Sequence, residues 1–163
     1  PVYFMKAFPS PSGRGARGEV ETLKVGAPFT IVIGDTGISA PTRESVADVR
    51  KLWEADKAKW ESVFDKVGEI ARSAKEKIET GDSRLLGELM NRNHALLQEM
   101  TVSSLELDRL VEAARKAGAT GAKLSGGGRG GNMIALVEAE NAHEVSSALL
   151  SAGAKGTIIT QVS

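Results

Sequence analysis

The stretch Lys123-Leu-Ser-Gly-Gly-Gly-Arg-Gly-Gly-Asn132 decides how this chain is read. It places five glycines in six positions, and the apolar run Met133-Ile-Ala-Leu-Val137 follows at once. Glycine loses more backbone freedom on folding than any other residue, so a cluster this dense needs a local cause, such as positive φ angles or close approach of backbone to a ligand. Successive exposed N–H groups in such a loop form a concavity suited to phosphate. A flexible linker or a plain hairpin turn is the simpler reading of the glycines alone. Gly126, Gly128 and Gly131 satisfy G-x-G-x-x-G, but that fingerprint must open a helix, and here a buried-strand pattern follows. No Gly-Lys-Ser/Thr stands at the spacing of a Walker loop. The unit reads helix, short strand, glycine loop, strand.

Working outward, Asn141-x-x-Glu144 is expected to cap a last helix carrying Val145, Ala148, Leu149 and Ala152, and residues 157–162 form a last strand. Upstream, Ser103-x-x-Glu106 has the form of a capping box, opening a helix with Leu107, Leu110, Val111 and Ala114 inward and Gly118 at its end. The segment after Gly81-Asp82 is a helix whose apolar stripe is Leu85, Leu86, Leu89, Met90, Leu97 and Met100, with Asn93 and His94 beside it. From about residue 56 to 79, Trp60, Val63, Val67, Ile70, Ala74 and Ile78 keep helical spacing. Thr42 caps a further helix after Pro41. Residues 2–7, 19–25 and 29–33 read as antiparallel strands, the first two separated by a Pro/Ser/Gly/Arg loop over 8–18. The sum is an α+β domain, an antiparallel sheet covered by helices gathered on one side.

Bulk properties narrow the function classes. The chain has 163 residues, enough for one domain with a real core, and its 21 basic and 21 acidic residues cancel. Nothing argues for nucleic acid or an anionic membrane surface. The Arg14 and Arg17 glycine context has no aromatic stacker nearby to make an RNA-binding segment. There is no cysteine, hence no disulfide framework and no Cys-based metal site. No apolar run approaches the roughly 20 residues of a membrane span, and no signal peptide is visible, so a cytoplasmic location is expected. The start at Pro1, with strand pattern already at Val2, suggests a fragment or a processed product.

Four segments carry a family resemblance. The run from Ala122 to Gly131 resembles the third motif of the GHMP small-molecule kinases, which in mevalonate kinases is roughly K-L-T-G-A-G-G-G-G-C. The segments Ile31-Val-Ile-Gly-Asp-Thr-Gly-Ile-Ser-Ala-Pro-Thr-Arg-Glu-Ser-Val-Ala-Asp-Val-Arg50, Leu89-Met-Asn-Arg-Asn-His-Ala-Leu-Leu97 and Ser104-Leu-Glu-Leu-Asp-Arg-Leu110 match mevalonate kinases in the same order. The loop alone indicates the superfamily; the four together point to the mevalonate kinase branch.

The resemblance implies that residues 1–163 are one GHMP kinase C-terminal domain with a ferredoxin-like core. The family's nucleotide loop and its catalytic Lys and Asp lie N-terminal to everything present, and no segment here matches them. It therefore implies the C-terminal half of an ATP-dependent kinase that phosphorylates mevalonate for isoprenoid synthesis, inactive alone, with Mg2+ ligands mainly in the N-terminal kinase domain. By the resemblance, Ser125, Gly126, Gly127, Gly128, Arg129, Gly130 and Gly131 would form the phosphate loop, and Thr42, Ser125 and Gly127 would border the mevalonate pocket. No catalytic residue and no metal ligand is assigned within this chain.

Ser125 stands where the family usually has Thr, Gly127 where it has Ala, and Asn132 where it has Cys. Arg129 replaces a family Gly and has three readings: exposed surface, a cation for phosphate or the mevalonate carboxylate, or the mark of another substrate. Thr42 reads both as substrate-facing and as helix cap. His94 reads as a core or surface histidine, having no second histidine at ligand spacing. Phosphomevalonate or homoserine kinase is the rival enzymatic reading, and a stand-alone anion-binding module the non-enzymatic one. The segment from Asp35 to Arg50 favours mevalonate kinase. An isolated half would expose its interdomain face, so self-association is expected.

Overall fold

The computed structural model describes residues 2–5 and 19–163. Strands β1 (Val2–Met5) and β2 (Glu19–Thr22) pair antiparallel, with Val2 opposite Thr22. There follow β3 (Phe29–Asp35), α1 (Thr42–Ala55), α2 (Lys57–Thr80), α3 (Ser83–Glu99), α4 (Leu105–Lys116), β4 (Gly121–Ser125), β5 (Asn132–Val137), a single 3-10 turn (Ala139–Asn141), α5 (Ala142–Ser151) and β6 (Gly156–Val162). The last four strands form one antiparallel sheet in the order β4-β5-β3-β6. The second strand stops at Thr22, short of the expected residue 25. The expected Gly/Arg hairpin tip, with Arg14 and Arg17, lies outside the described residues.

The α+β class and the antiparallel sheet are as expected; the placing of helices on one side is corrected. Val32, Met133, Ala135 and Leu124 point to one face, where Leu107 and Leu110 of α4 and Val145 and Leu149 of α5 bury them. Phe29, Ile31, Ile134 and Leu136 point to the other, against Ala74 and Ile78 of α2 and Leu86 and Met90 of α3. The cause is in β5. A strand apolar at Met133, Ile134, Ala135, Leu136 and Val137 presents hydrophobic surface on both faces and needs cover on both. Full burial of one leucine contributes about 1.5–3 kcal/mol, and Leu107, Leu110, Leu136 and Leu149 are each 1% exposed or less.

Helix ends follow side-chain chemistry, with three corrections. Asp56 Oδ1 accepts from the Lys59 amide at 3.1 Å and Asp82 Oδ1 from the Leu85 amide at 3.0 Å, and Gly81 closes α2 at φ 75°. Thr42, however, is the first helical residue of α1, after Pro41, and makes no cap bond. At α4 the cap is Ser104, whose Oγ accepts from the Leu107 amide; Ser103 instead donates to Asp108 Oδ1 at 2.5 Å. Asn141 ends the 3-10 turn and caps nothing with its side chain. That turn redirects the chain into α5, so the asparagine never takes the extended backbone a capping side chain needs.

Strand β4 is a sheet edge, and a free edge leaves a row of N–H and C=O groups unpaired. Helix α3 closes it with side chains. Asn91 Oδ1 accepts from the Ala122 amide at 3.0 Å and its Nδ2 donates to the Thr120 carbonyl at 3.3 Å. His94 Nδ1 accepts from the Leu124 amide at 3.3 Å. The Ala122 carbonyl accepts from Arg115 at 2.9 Å and the Leu124 carbonyl from Lys123 Nζ at 2.7 Å. The approach is close because Gly87 of α3 faces Gly121 of β4, backbone against backbone.

Candidate functional site: the glycine loop

The loop between β4 and β5 bends because its glycines accept conformations other residues resist. Gly126, Gly128, Gly130 and Gly131 all have positive φ. At three of the loop's glycines the backbone lies close against a neighbour. A side chain on Gly128 would strike the Val102 carbonyl, one on Gly130 the backbone of Ile38, and one on Gly127 the side chain of Thr42. Gly126 and Gly131 face open space.

Three segments hold the loop. From the β3–α1 connection, Thr36 donates from its amide and its hydroxyl to the Gly131 carbonyl, both at 2.9 Å, and the Ile38 carbonyl accepts from the Gly131 amide at 2.7 Å. That connection is itself folded by Asp35 Oδ1, which accepts from the Gly37 amide at 2.8 Å, and by Thr36 Oγ1, which accepts from the Ile38 amide. From the α3–α4 connection, the Val102 carbonyl accepts from the Arg129 amide at 2.9 Å. From α1, Asp48 Oδ2 pairs with Arg129 Nη1 at 2.7 Å. Arg129 Nε also donates to the Thr101 carbonyl at 3.2 Å. The two hydrogen bonds from Arg129 and Lys51 hold the Asp48 carboxyl below its usual range.

Arg129 and Thr101 are the two non-glycine residues with positive φ among the described residues, each at 58°, and the Arg129–Thr101 bond joins them. Left-handed backbone at a β-branched residue is a genuine outlier, and such strain gathers at functional sites. Arg129 is thus a fastener, half-buried and turned toward α1. Nothing in the loop's own sequence names Asp48 as its partner.

The structure brings the expected site residues together. Thr42 stands at the head of α1 against Gly127, and Ser125, half-buried, ends β4 at the loop's start. Thr42, Ser45 and Asp48 share one face of α1 by their spacing; Ser45 is 2% exposed, and its hydroxyl has no partner among the described residues. The amides of Gly126 and Gly127 have no acceptor among the described residues. Beside them, α1 begins without a side-chain cap, so its first-turn N–H groups add to the positive end of the helix dipole. Chemically, the corner presents N–H donors, the kind of group that oxyanions pair with. An apolar cleft of about 350 Å³ between α1 and α2, with Val46, Val49, Trp53 and Phe64, includes no loop residue. Among the described residues no cluster of acidic or imidazole side chains is arranged for a metal, and no helix is long and apolar enough to cross a membrane.

The site is thus a braced glycine loop at the mouth of the outer hairpin of a helix-covered antiparallel sheet. Residues 74–155 match the family model described as GHMP kinases C terminal, and the chain belongs to that family. The mevalonate kinase of Pyrococcus abyssi is 44% identical over 156 residues, which is 90% of this chain and 44% of that protein. That of Saccharolobus solfataricus is 37% identical over 138 residues, 80% of this chain and 44% of the other. The crystal structure of L. major mevalonate kinase in complex with R-mevalonate matches with a TM-score of 0.88 and 30% identity, covering 99% of this chain and 48% of that one. The chain spans less than half the length of the mevalonate kinases it matches.

Proposed function

We propose that this chain is the C-terminal half of an ATP-dependent mevalonate kinase, which supplies one wall of the active site and no catalytic acid or base. The observation that carries the reading is the corner made by the open amides of Gly126 and Gly127, the uncapped start of α1 and the Thr42 hydroxyl. Phosphoryl transfer is mostly positioning and charge stabilisation, and preorganised amides supply both without reorganising during the reaction. In this reading residues 126–131 border the ATP phosphates, while Thr42, Ser125 and Gly127 face mevalonate. Mg2+ would neutralise phosphate charge in the complete enzyme, and in this reading its main ligands belong to the N-terminal half.

The state of Arg129 favours mevalonate over a phosphorylated acceptor. A second phosphate calls for additional cations near the loop, and the arginine there is already paired with Asp48 at 2.7 Å. The test is an assay of the polypeptide carrying this chain with its N-terminal half, given ATP, Mg2+ and, in turn, mevalonate, phosphomevalonate and homoserine. Phosphomevalonate as the product is expected. Turnover of another acceptor with mevalonate inert would replace this reading. The isolated chain should transfer no phosphate. It should also self-associate, since Leu105, Ile158 and Val46 are 85%, 62% and 56% exposed; a concentration-independent monomer in size-exclusion chromatography would refute that expectation.

A further inference from the structure

We propose that His94 is a positioning residue for the glycine loop: its imidazole ties the edge of β4, one residue before Ser125, to the α3–α4 connection that fixes the far side of the same loop. The proposal rests on the reading of that loop as a phosphate wall.

The geometry closes a circuit. His94 is 1% exposed. Its Nδ1 accepts from the Leu124 amide at 3.3 Å, so the neutral ring carries its proton on Nε2. Nε2 lies 3.1 Å from Asp108 Oδ1, near enough to attract but not lined up as a hydrogen bond. The same carboxylate oxygen accepts from the Ser103 hydroxyl at 2.5 Å. Ser103 follows Val102, whose carbonyl holds the Arg129 amide at 2.9 Å. One imidazole therefore bears on the strand that leads into the loop and, through Asp108 and Ser103, on the segment that holds its apex.

Of the two nitrogens, Nδ1 carries the hydrogen bond to the strand, while Nε2 faces Asp108 through attraction alone. The charged groups that bear on His94 from the packed elements are Asp108 and Arg115 of α4 and Lys123 of β4. Burial pushes the imidazole below its ordinary value, with Asp108 opposing and Arg115 and Lys123 reinforcing the shift. Protonation at Nδ1 would set two N–H donors against each other and release Leu124.

The experiment compares His94→Phe, His94→Asn and Asp108→Asn in the complete protein. Amide hydrogen exchange over residues 122–131 is read beside kcat and KM across pH. Phenylalanine keeps ring volume and loses the acceptor; asparagine keeps an acceptor near Nδ1. For His94→Phe, exchange at Leu124 and in the loop should rise about tenfold, the scale of one net hydrogen bond, and kcat should fall with it. His94→Asn should stay within about threefold of wild type in loop exchange, and its kcat should fall less than that of wild type as pH drops below neutrality. Asp108→Asn should loosen the loop without exposing the Leu124 amide. Unchanged loop exchange in a folded His94→Phe protein would overturn the proposal, as would an asparagine variant as impaired as the phenylalanine one. Should His94→Phe not fold, the asparagine variants decide on the same readouts. Hydrogen exchange needs no turnover, so a wild type inert toward mevalonate would sink the kinase reading and leave this one standing or falling by itself.

Discussion

Arg129 sits in left-handed backbone at φ 58°, a conformation that disfavours a residue with a Cβ by about 1–2 kcal/mol. Its side chain offsets that strain with bonds to Asp48 and Thr101. Arg129→Ala should lose both bonds and keep the strain; Arg129→Gly should lose both and relieve it. The glycine variant should therefore be the more stable of the two by about 1 kcal/mol, read from urea midpoints. Equal midpoints would mean the backbone there is unstrained. In the sequence this arginine stood open to three readings, because its partner lies 81 residues away and no local pattern reaches that far. Gly127 is a second case. Alanine there would press a methyl group into the Thr42 side chain and should destabilise by about 1 kcal/mol, on the low side of overpacking costs. Adding Thr42→Ala should recover part of that loss. Strict additivity of the two substitutions would argue against the contact.

Among elements, the α3–β4 junction makes the sharpest claim. Gly87 lies inside a helix, where alanine is ordinarily favoured by about 0.8–1 kcal/mol. Here a Cβ on Gly87 would stand 2.7 Å from the Thr120 carbonyl oxygen, and one on Gly121 would strike the Gly87 backbone. The usual sign should reverse, with Gly87→Ala destabilising by about 1–3 kcal/mol in thermal or urea unfolding; a more stable variant would refute the close packing. The elements themselves were legible in the sequence. Helical spacing marked α2 and α3, and the strand–loop–strand order around the glycines was plain. Their ends were less so. Ser103 and Ser104 are adjacent and chemically alike, and only the bond from Ser103 to Asp108 decides that Ser104 is the cap. The sealing of β4 left one trace, the polar Asn91 and His94 at i, i+3 beside the apolar stripe of α3, but a trace of that kind does not say which strand it serves.

For the whole molecule, the doubly apolar strand β5 forces helices onto both faces, and that places a titratable ring in the interior between α3, α4 and β4. The consequence for stability has a definite sign. His94 is held below its ordinary value near 6.5, first by burial. Above that value the ring is neutral in both folded and unfolded chains, and its contribution to stability is fully present. As pH falls below about 6.5, the unfolded chain takes up a proton that the folded chain refuses, so unfolding becomes easier. The loss continues until pH passes the depressed folded value and then levels off. Unfolding free energy measured by urea from pH 7 to 5 should therefore fall more steeply for wild type than for His94→Asn, which has no ring to protonate. Exposed carboxylates contribute alike to both proteins and cancel in the difference. Parallel curves would mean that the ring takes its proton as readily in the fold as out of it, and that nothing in this interior depends on its staying neutral.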